Sequence, residues 1–217
     1  MDSKTLTVLL LIGLAINVPV LAWKLYSLPL PGNNIGYEPA QPIAFSHRLH
    51  AGELTIGCQY CHTGADKSRH AGLPALTVCM NCHKNVSAPW ADVKAEMDDA
   101  TAQGRKPRAV VSPEIRKLYA AMGCDEKGAR DPSRRIEAVA WTRVYAAPDF
   151  VYFDHRFHVN SGLECQQCHG TVEAMDRVRQ VPDMSMGWCI QCHRDNDGKE
   201  MQGRVLHPST NCYSCHY

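Results

Sequence analysis

Residues 45–62 read FSHRLHAGELTIGCQYCH, and residues 153–169 repeat the pattern as FDHRFHVNSGLECQQCH. Each copy holds a phenylalanine, two histidines three positions apart, and a Cys-x-x-Cys-His ending. In that ending the two thiols can add to the vinyl groups of a haem, and the adjacent imidazole then lies under the iron as its proximal ligand. We therefore predict that this chain folds around covalently attached haem.

The Cys-x-x-Cys-His ending occurs five times in 217 residues, and it accounts for ten of the eleven cysteines. Structural zinc and a disulfide framework are disfavoured because a histidine directly follows every cysteine pair. The remaining cysteine, Cys124, is predicted to be a packed thiol without a cofactor role. We predict five c-type haems, with covalent attachment at Cys58, Cys61, Cys79, Cys82, Cys165, Cys168, Cys189, Cys192, Cys212 and Cys215 and proximal iron ligands His62, His83, His169, His193 and His216.

Five haems leave little chain for an ordinary apolar core, so the faces of the porphyrins are expected to take its place. The predicted fold class is a mainly α-helical and irregular multihaem protein with few strands. Two propionates on each haem would add about ten negative charges and change the formal charge of +1 to about −9. This balance gives no reason to expect a nucleic-acid partner.

The N-terminal segment 5–23, TLTVLLLIGLAINVPVLAW, contains no charged residue. Its 19 positions would span about 28 Å as a helix, which is enough for a bilayer core. We predict an uncleaved single-pass anchor. A cleaved signal peptide, with Val20-Leu21-Ala22 as its cleavage site, is the alternative. Lys4 and Lys24 flank the segment symmetrically and do not orient it.

The pattern predicts five consecutive parts. They are a transmembrane anchor at 1–24, an extended Pro/Gly-rich spacer at 25–42, a two-haem module at 43–84, a haem-free and partly helical connector at 85–147, and a three-haem module at 148–217. In the connector, SPEIRKLYAAMG predicts a helix with Ser112 as its N-cap, Pro113 in its first turn and Gly123 at its end.

The paired histidines before the first and third motifs need an explanation. An iron in a porphyrin has two axial positions, and the motif histidine fills one of them. His47 and His50 therefore cannot both join His62 on one iron, and histidines at i and i+3 of a helical turn project from the same face. The pair should serve two different haems held close together, and the same holds for His155 and His158.

The F-x-H-x-x-H pattern followed by Cys-x-x-Cys-His resembles cytochrome c7 and c3 type modules. The resemblance implies that His47 binds the first haem and His50 the second, and that His155 binds the third haem and His158 the fourth. In c7-like modules the remaining haem takes its ligand from just before the preceding motif, where this chain reads VPDMSMGWC. We predict Met186 as the distal ligand of the fifth haem, with Met184 and His207 as alternatives and His70 a more distant one.

Over nearly its whole length the chain also resembles the pentahaem ActA subunits of alternative complex III. The resemblance rests on IAFSHRLHAGELTIGCQYCHTGA, AGLPALTVCMNCH, PDFVYFDHRFHV, MGWCIQCHR and NCYSCHY. It implies an electron-transfer subunit, without catalysis of its own, in a membrane quinol oxidoreductase. The implied partners are an iron-sulfur protein, quinol-binding membrane proteins, and a soluble or monohaem cytochrome c or an oxidase as acceptor. The haem domain would lie on the periplasmic side of the inner membrane.

Two other functions remain open at this point. A multihaem reductase would need one iron with an open axial position, yet all five motifs end in histidine and six further histidines can fill distal positions. A NapC-like quinol dehydrogenase would contact the quinol itself near the anchor, but its shorter layout between anchor and haem fits this sequence poorly.

Overall fold

The computed structural model of the protein describes residues 2–27 and 34–216. Helices are short in this part of the chain, apart from the first. The α-helices are α1 Ser3–Ser27, α2 Cys58–Cys61, α3 Leu76–His83, α4 Trp90–Ala102, α5 Pro113–Ala121, α6 His155–Asn160, α7 Gln166–His169 and α8 Met186–Asn196. A π-helix runs over Arg48–Glu53, and 3-10 turns cover Val172–Ala174 and Cys212–Ser214.

The N-terminal helix α1 has the length and composition of a membrane span. Its 25 residues extend about 37 Å, more than the roughly 30 Å of a bilayer core, and none of its apolar segment is buried in protein. The one amide side chain in the segment, that of Asn17, donates to the Gly13 carbonyl at 2.7 Å. This bond satisfies the amide without water. Helix α1 ends at Ser27, and part of the predicted spacer, residues 28–33, lies outside the described residues.

The apolar core of the connector forms around α5. The Ser112 hydroxyl accepts from the Ile115 amide, Pro113 starts the helix, and Gly123 follows it at φ +62°. This is the predicted cap and stop. The buried core residues are Val111, Leu118, Tyr119, Met122 and Cys124, with Leu76, Cys79 and Met80 of α3 packed against them. A haem-attachment helix therefore packs on the one continuous apolar cluster in the described part of the chain.

Strands are few, as predicted. The described residues contain one antiparallel pair, β1 Glu200–Met201 and β2 Arg204–Val205. The two residues between them, Gln202 and Gly203, have φ values of +50° and +75°. Positive φ at both central positions is the geometry of the tight hairpin turn that matches strand twist.

The two predicted haem modules pack against each other. The Arg48 amide donates to the Met175 carbonyl at 2.9 Å, and the Arg48 guanidinium donates to Asp176 at 3.0 Å. A Cβ atom on Gly52 would lie 2.3 Å from the Glu173 carbonyl oxygen. Only glycine allows this close approach. The junction therefore depends on residues that are more than a hundred positions apart.

Candidate haem sites

Each Cys-x-x-Cys-His motif is named here as a site, numbered 1 to 5 in chain order. Sites 1, 2 and 4 lie on or at the ends of α2, α3 and α8, site 3 lies on α7, and site 5 lies on the last 3-10 turn. The histidine ends or directly follows the helix at sites 1, 2 and 3, whereas at site 4 helix α8 continues past His193. All eleven cysteines are unbridged thiols in this structure.

Three predicted distal histidines lie opposite the proximal histidines predicted for them. The ring centres are 6.0 Å apart for His50 and His83, 6.4 Å for His155 and His169, and 6.1 Å for His158 and His193. In the described residues no cluster of three or more His, Cys, Asp or Glu side chains could hold a bare metal ion. These histidines face each other in pairs across a gap.

The gap fits an iron between two imidazoles. With a metal–nitrogen bond of about 2.0 Å on each side and roughly 1.2 Å more from nitrogen to ring centre, two axial imidazoles have centres about 6.4 Å apart. The observed 6.0 to 6.4 Å matches this spacing. The stacked rings of Phe45 and His50 are closer, at 4.3 Å.

Backbone carbonyls orient most of these histidines. A carbonyl can only accept, so each Nδ1 within hydrogen-bond distance of one carries the proton and leaves Nε2 unprotonated for a metal. The Nδ1–H groups donate over 2.6 to 2.9 Å as follows: His50 to Ser46, His62 to Gly72, His83 to Val86, His155 to Arg69, His158 to Asp154 and His193 to Ser209.

A phenylalanine holds each histidine pair, a role that the sequence pattern did not reveal. The Phe45 ring stacks on His50 and meets His47 edge-on at 4.9 Å. The Phe153 ring lies 4.5 Å from one histidine of the second pair and 4.9 Å from the other. The repeated phenylalanine therefore fixes the directions in which the two imidazoles point.

At site 1, His47 lies close enough to His62, its predicted proximal partner, to be influenced by it. Burial, followed by proximity to His62 and His50, lowers the pKa of His47 to about 4. A neutral imidazole at pH 7 is the form that binds a metal. Burial also lowers the pKa of His169 to about 4, with smaller contributions from His155 and His62. His62 therefore lies near both His47 and the proximal histidine of site 3.

Attachment cysteines of different sites influence one another's pKa in the order 2-1-3-4-5. Besides burial, Cys61 raises the pKa of Cys79, and Cys58 raises that of Cys165. Burial, then Cys192 and Cys189, raise the pKa of Cys168 to about 11. After burial, Cys215 is the largest influence raising the pKa of Cys189. A cavity of about 370 Å³ lies between sites 1 and 3, and Cys58 and Cys165 are among the residues that line it.

Site 5 differs from the others. The chain around it is held by a hydrogen bond of 2.7 Å from the Tyr152 amide to the Cys215 carbonyl, and the ring of Phe150 lies 5.9 Å from that of His216. A phenylalanine cannot bind iron, so this ring packs beside the proximal histidine and supplies no ligand.

The three predicted distal ligands of site 5 occupy different surroundings. Met186 is 69% exposed and begins α8, one turn before Cys189, which lies beside Cys215. Met184 is half-buried with φ +51°. The His207 side chain is 73% exposed and its Nδ1 lies 3.0 Å from Asp197. Of the three, Met186 alone lies on α8, the helix that contains site 4, and Cys189 of site 4 is close to Cys215 of site 5.

Comparisons with known proteins support the cofactor class. Residues 151–217 match the family model described as cytochrome c7 and related cytochrome c. The chain is also 24% identical over 202 residues to the "Menaquinone reductase, multiheme cytochrome c subunit" of Nitratidesulfovibrio vulgaris, covering 82% of this chain and 78% of that protein. The predictions of a mainly helical and irregular multihaem cytochrome c with few strands, and of c-type haem, are therefore confirmed. The number of haems and their ligands stay predictions.

Proposed function

We propose that this chain, a multihaem c-type cytochrome with a cytochrome c7-like module, is the electron-carrying subunit of a membrane quinol oxidoreductase. The observation that carries the proposal is that three predicted distal histidines face their predicted proximal histidines with ring centres 6.0 to 6.4 Å apart, the spacing of two imidazoles on one iron. Bound c-type haem supplies reversible one-electron chemistry between ferrous and ferric iron. The protein supplies attachment, axial ligands and spacing.

The proposed ligands are those predicted from the sequence. Five thiol pairs attach five haems, and the motif histidines bind from one side. The opposite ligands are His47 at site 1, His50 at site 2, His155 at site 3, His158 at site 4 and Met186 at site 5. Support comes from the ring separations at sites 2 to 4, the shared environment of His47 and His62, and the position of Met186 on α8.

Filled axial positions favour electron transfer over a reductase with substrate at an open iron. The carbonyl-oriented Nδ1 groups also suit imidazoles that act as fixed metal ligands. No described residue is proposed as catalytic.

The membrane helix and the resemblance to ActA subunits support a place in alternative complex III. The haem domain would lie on the periplasmic side, next to an iron-sulfur protein and quinol-binding membrane subunits, and would pass electrons to a soluble cytochrome c or an oxidase. A second candidate is the reverse direction, from a donor toward quinone. The name of the Nitratidesulfovibrio relative, a menaquinone reductase, favours it.

A reduction experiment on the native complex tests the function and its direction. The chain is extracted with mild detergent together with the subunits that co-purify with it. In the absence of oxygen, the oxidised complex is mixed with menaquinol, and in a second sample the chemically reduced complex is mixed with menaquinone. We expect quinone-reactive membrane subunits to co-purify. On mixing with menaquinol, the absorption spectrum of the haems should change from that of ferric to that of ferrous haem. If only oxidation of the reduced haems by menaquinone is fast, the reverse direction replaces the proposal. A chain that purifies alone and reacts with neither form overturns both candidates.

A further inference from the structure

The two copies of the ligand motif differ at their first histidine. The second histidines are held alike, since His50 and His158 each donate from Nδ1 to the carbonyl four residues earlier at 2.8 Å. The first histidine of the second copy, His155, donates from Nδ1 to the Arg69 carbonyl at 2.9 Å. The Nδ1 of His47 is buried and has no hydrogen-bond partner among the described residues.

A hydrogen bond at Nδ1 changes how an imidazole binds metal. A carbonyl acceptor fixes the tautomer and ring direction and makes the other nitrogen a stronger electron donor. Stronger donation stabilises ferric over ferrous iron, and second-shell hydrogen bonding is one of the means by which proteins set haem potentials. His155 has this support and His47 lacks it, although both belong to the same F-x-H-x-x-H pattern.

Both the main chain and the side chain of Arg69 contact the segment that contains His155. Its carbonyl also accepts from the His155 amide at 3.1 Å. Its guanidinium donates to the carbonyls of Phe153 at 3.2 Å and Val151 at 3.3 Å, and lies 4.5 Å from the centre of the Tyr152 ring. The carbonyl is therefore held in place by contacts on residues just before the ligand.

The loop that presents Arg69 is itself closed. The Gly64 amide donates to the Ala71 carbonyl at 3.1 Å, and the Ser68 hydroxyl donates to the His70 carbonyl at 2.6 Å. The loop belongs to the first module and follows site 1, whereas His155 belongs to the second module. One module thus supplies the hydrogen bond that orients an iron ligand of the other.

We propose that Arg69 is a positioning residue for His155 and that its hold on this ligand lowers the reduction potential of site 3. The inference rests on the proposed distal ligand of site 3 and goes beyond it, because the sequence pattern does not show that a residue of the other module orients His155. Arg69 acts through His155 and does not contact the iron.

A redox titration followed by low-temperature electron paramagnetic resonance tests this on the full-length, haem-loaded chain. Each low-spin ferric haem gives its own signal, and His47→Met and His155→Met assign the signals of sites 1 and 3. Arg69→Ala should raise the reduction potential of site 3 by about 59 mV, which is a tenfold change in the equilibrium constant of a one-electron reduction. Site 1 should stay unchanged.

Two further variants separate positioning from stability. Arg69→Lys keeps the positive charge but loses the forked guanidinium donor. It should shift the reduction potential of site 3 by less than Arg69→Ala does. Arg48→Ala removes a different contact between the modules, the one to Asp176, and should leave site 3 unmoved. Where Arg69→Ala does not fold, Tyr152→Leu removes the ring under the guanidinium and should shift site 3 in the same direction.

Several results would overturn the proposal. A site 1 potential that shifts in Arg69→Ala as much as the site 3 potential would do so. So would an Arg69→Ala chain that melts at lower temperature but keeps the site 3 potential and signal. If His155→Met changes no haem signal, the proposed ligand set itself fails, which is a different outcome from an intact ligand that Arg69 does not influence.

Discussion

Replacing His50 with alanine is expected to open the iron of site 2 and no other. The ring of His50 lies 6.0 Å from that of His83, the spacing of two imidazoles on one iron, so the variant should leave site 2 with one axial ligand. A ferrous iron with an open position binds carbon monoxide, whereas iron with two histidine ligands largely resists it. We expect the reduced variant to take up about one carbon monoxide per chain and the unmodified chain to take up little.

The matched control is His70→Ala. His70 is exposed and is not among the proposed ligands, so its loss should leave carbon monoxide uptake at the level of the unmodified chain. A second comparison uses His47→Ala, which should open site 1 instead. If the paramagnetic resonance signal lost in His50→Ala is the same one lost in His47→Ala, the assignment of the two histidines to different irons is wrong.

Replacing Met186 with alanine is expected to remove a methionine–iron bond at site 5. Near-infrared magnetic circular dichroism separates methionine–iron from histidine–iron charge-transfer bands, so the unmodified ferric chain should show one methionine band beside the bis-histidine bands. That band should vanish in Met186→Ala. Because methionine ligation raises haem potentials, Met186→His should lower the potential of site 5.

Met184→Ala is the control for this experiment, since Met184 lies two residues before Met186 and is the alternative methionine. In Met184→Ala the methionine–iron band should persist. If the band is lost in Met184→Ala and not in Met186→Ala, Met184 is the ligand. If the unmodified chain shows bis-histidine bands alone, methionine is excluded and His207 is the ligand to be tested next, although its Nδ1 lies 3.0 Å from Asp197 in this structure.

The cofactor class could be predicted because it depends on short stretches of sequence, whereas the assignment of each distal histidine to a haem came from the resemblance to c7 and c3 type modules. Cys-x-x-Cys-His is a local chemical pattern, and the rule of two axial positions forces His47 and His50 onto different irons. The α5 helix was likewise predictable from Ser112 and Pro113, which set its start through local geometry.

The arrangement of the sites could not be predicted, because it depends on contacts between distant parts of the chain. Cys58 and Cys165 adjoin, and the carbonyl that orients His155 comes from a residue 86 positions away. Nothing in the spacing of the motifs shows that site 1 would lie between sites 2 and 3. The different support of His47 and His155 was hidden for the same reason, since their local sequences are alike.

The most direct test of the account is the intact mass of the denatured, matured chain. Thioether bonds survive denaturation, so covalent haem stays on the polypeptide. All ten motif cysteines and five following histidines are intact, and the account predicts a mass equal to the chain plus five haems. A fully matured chain that carries four haems or fewer would contradict it.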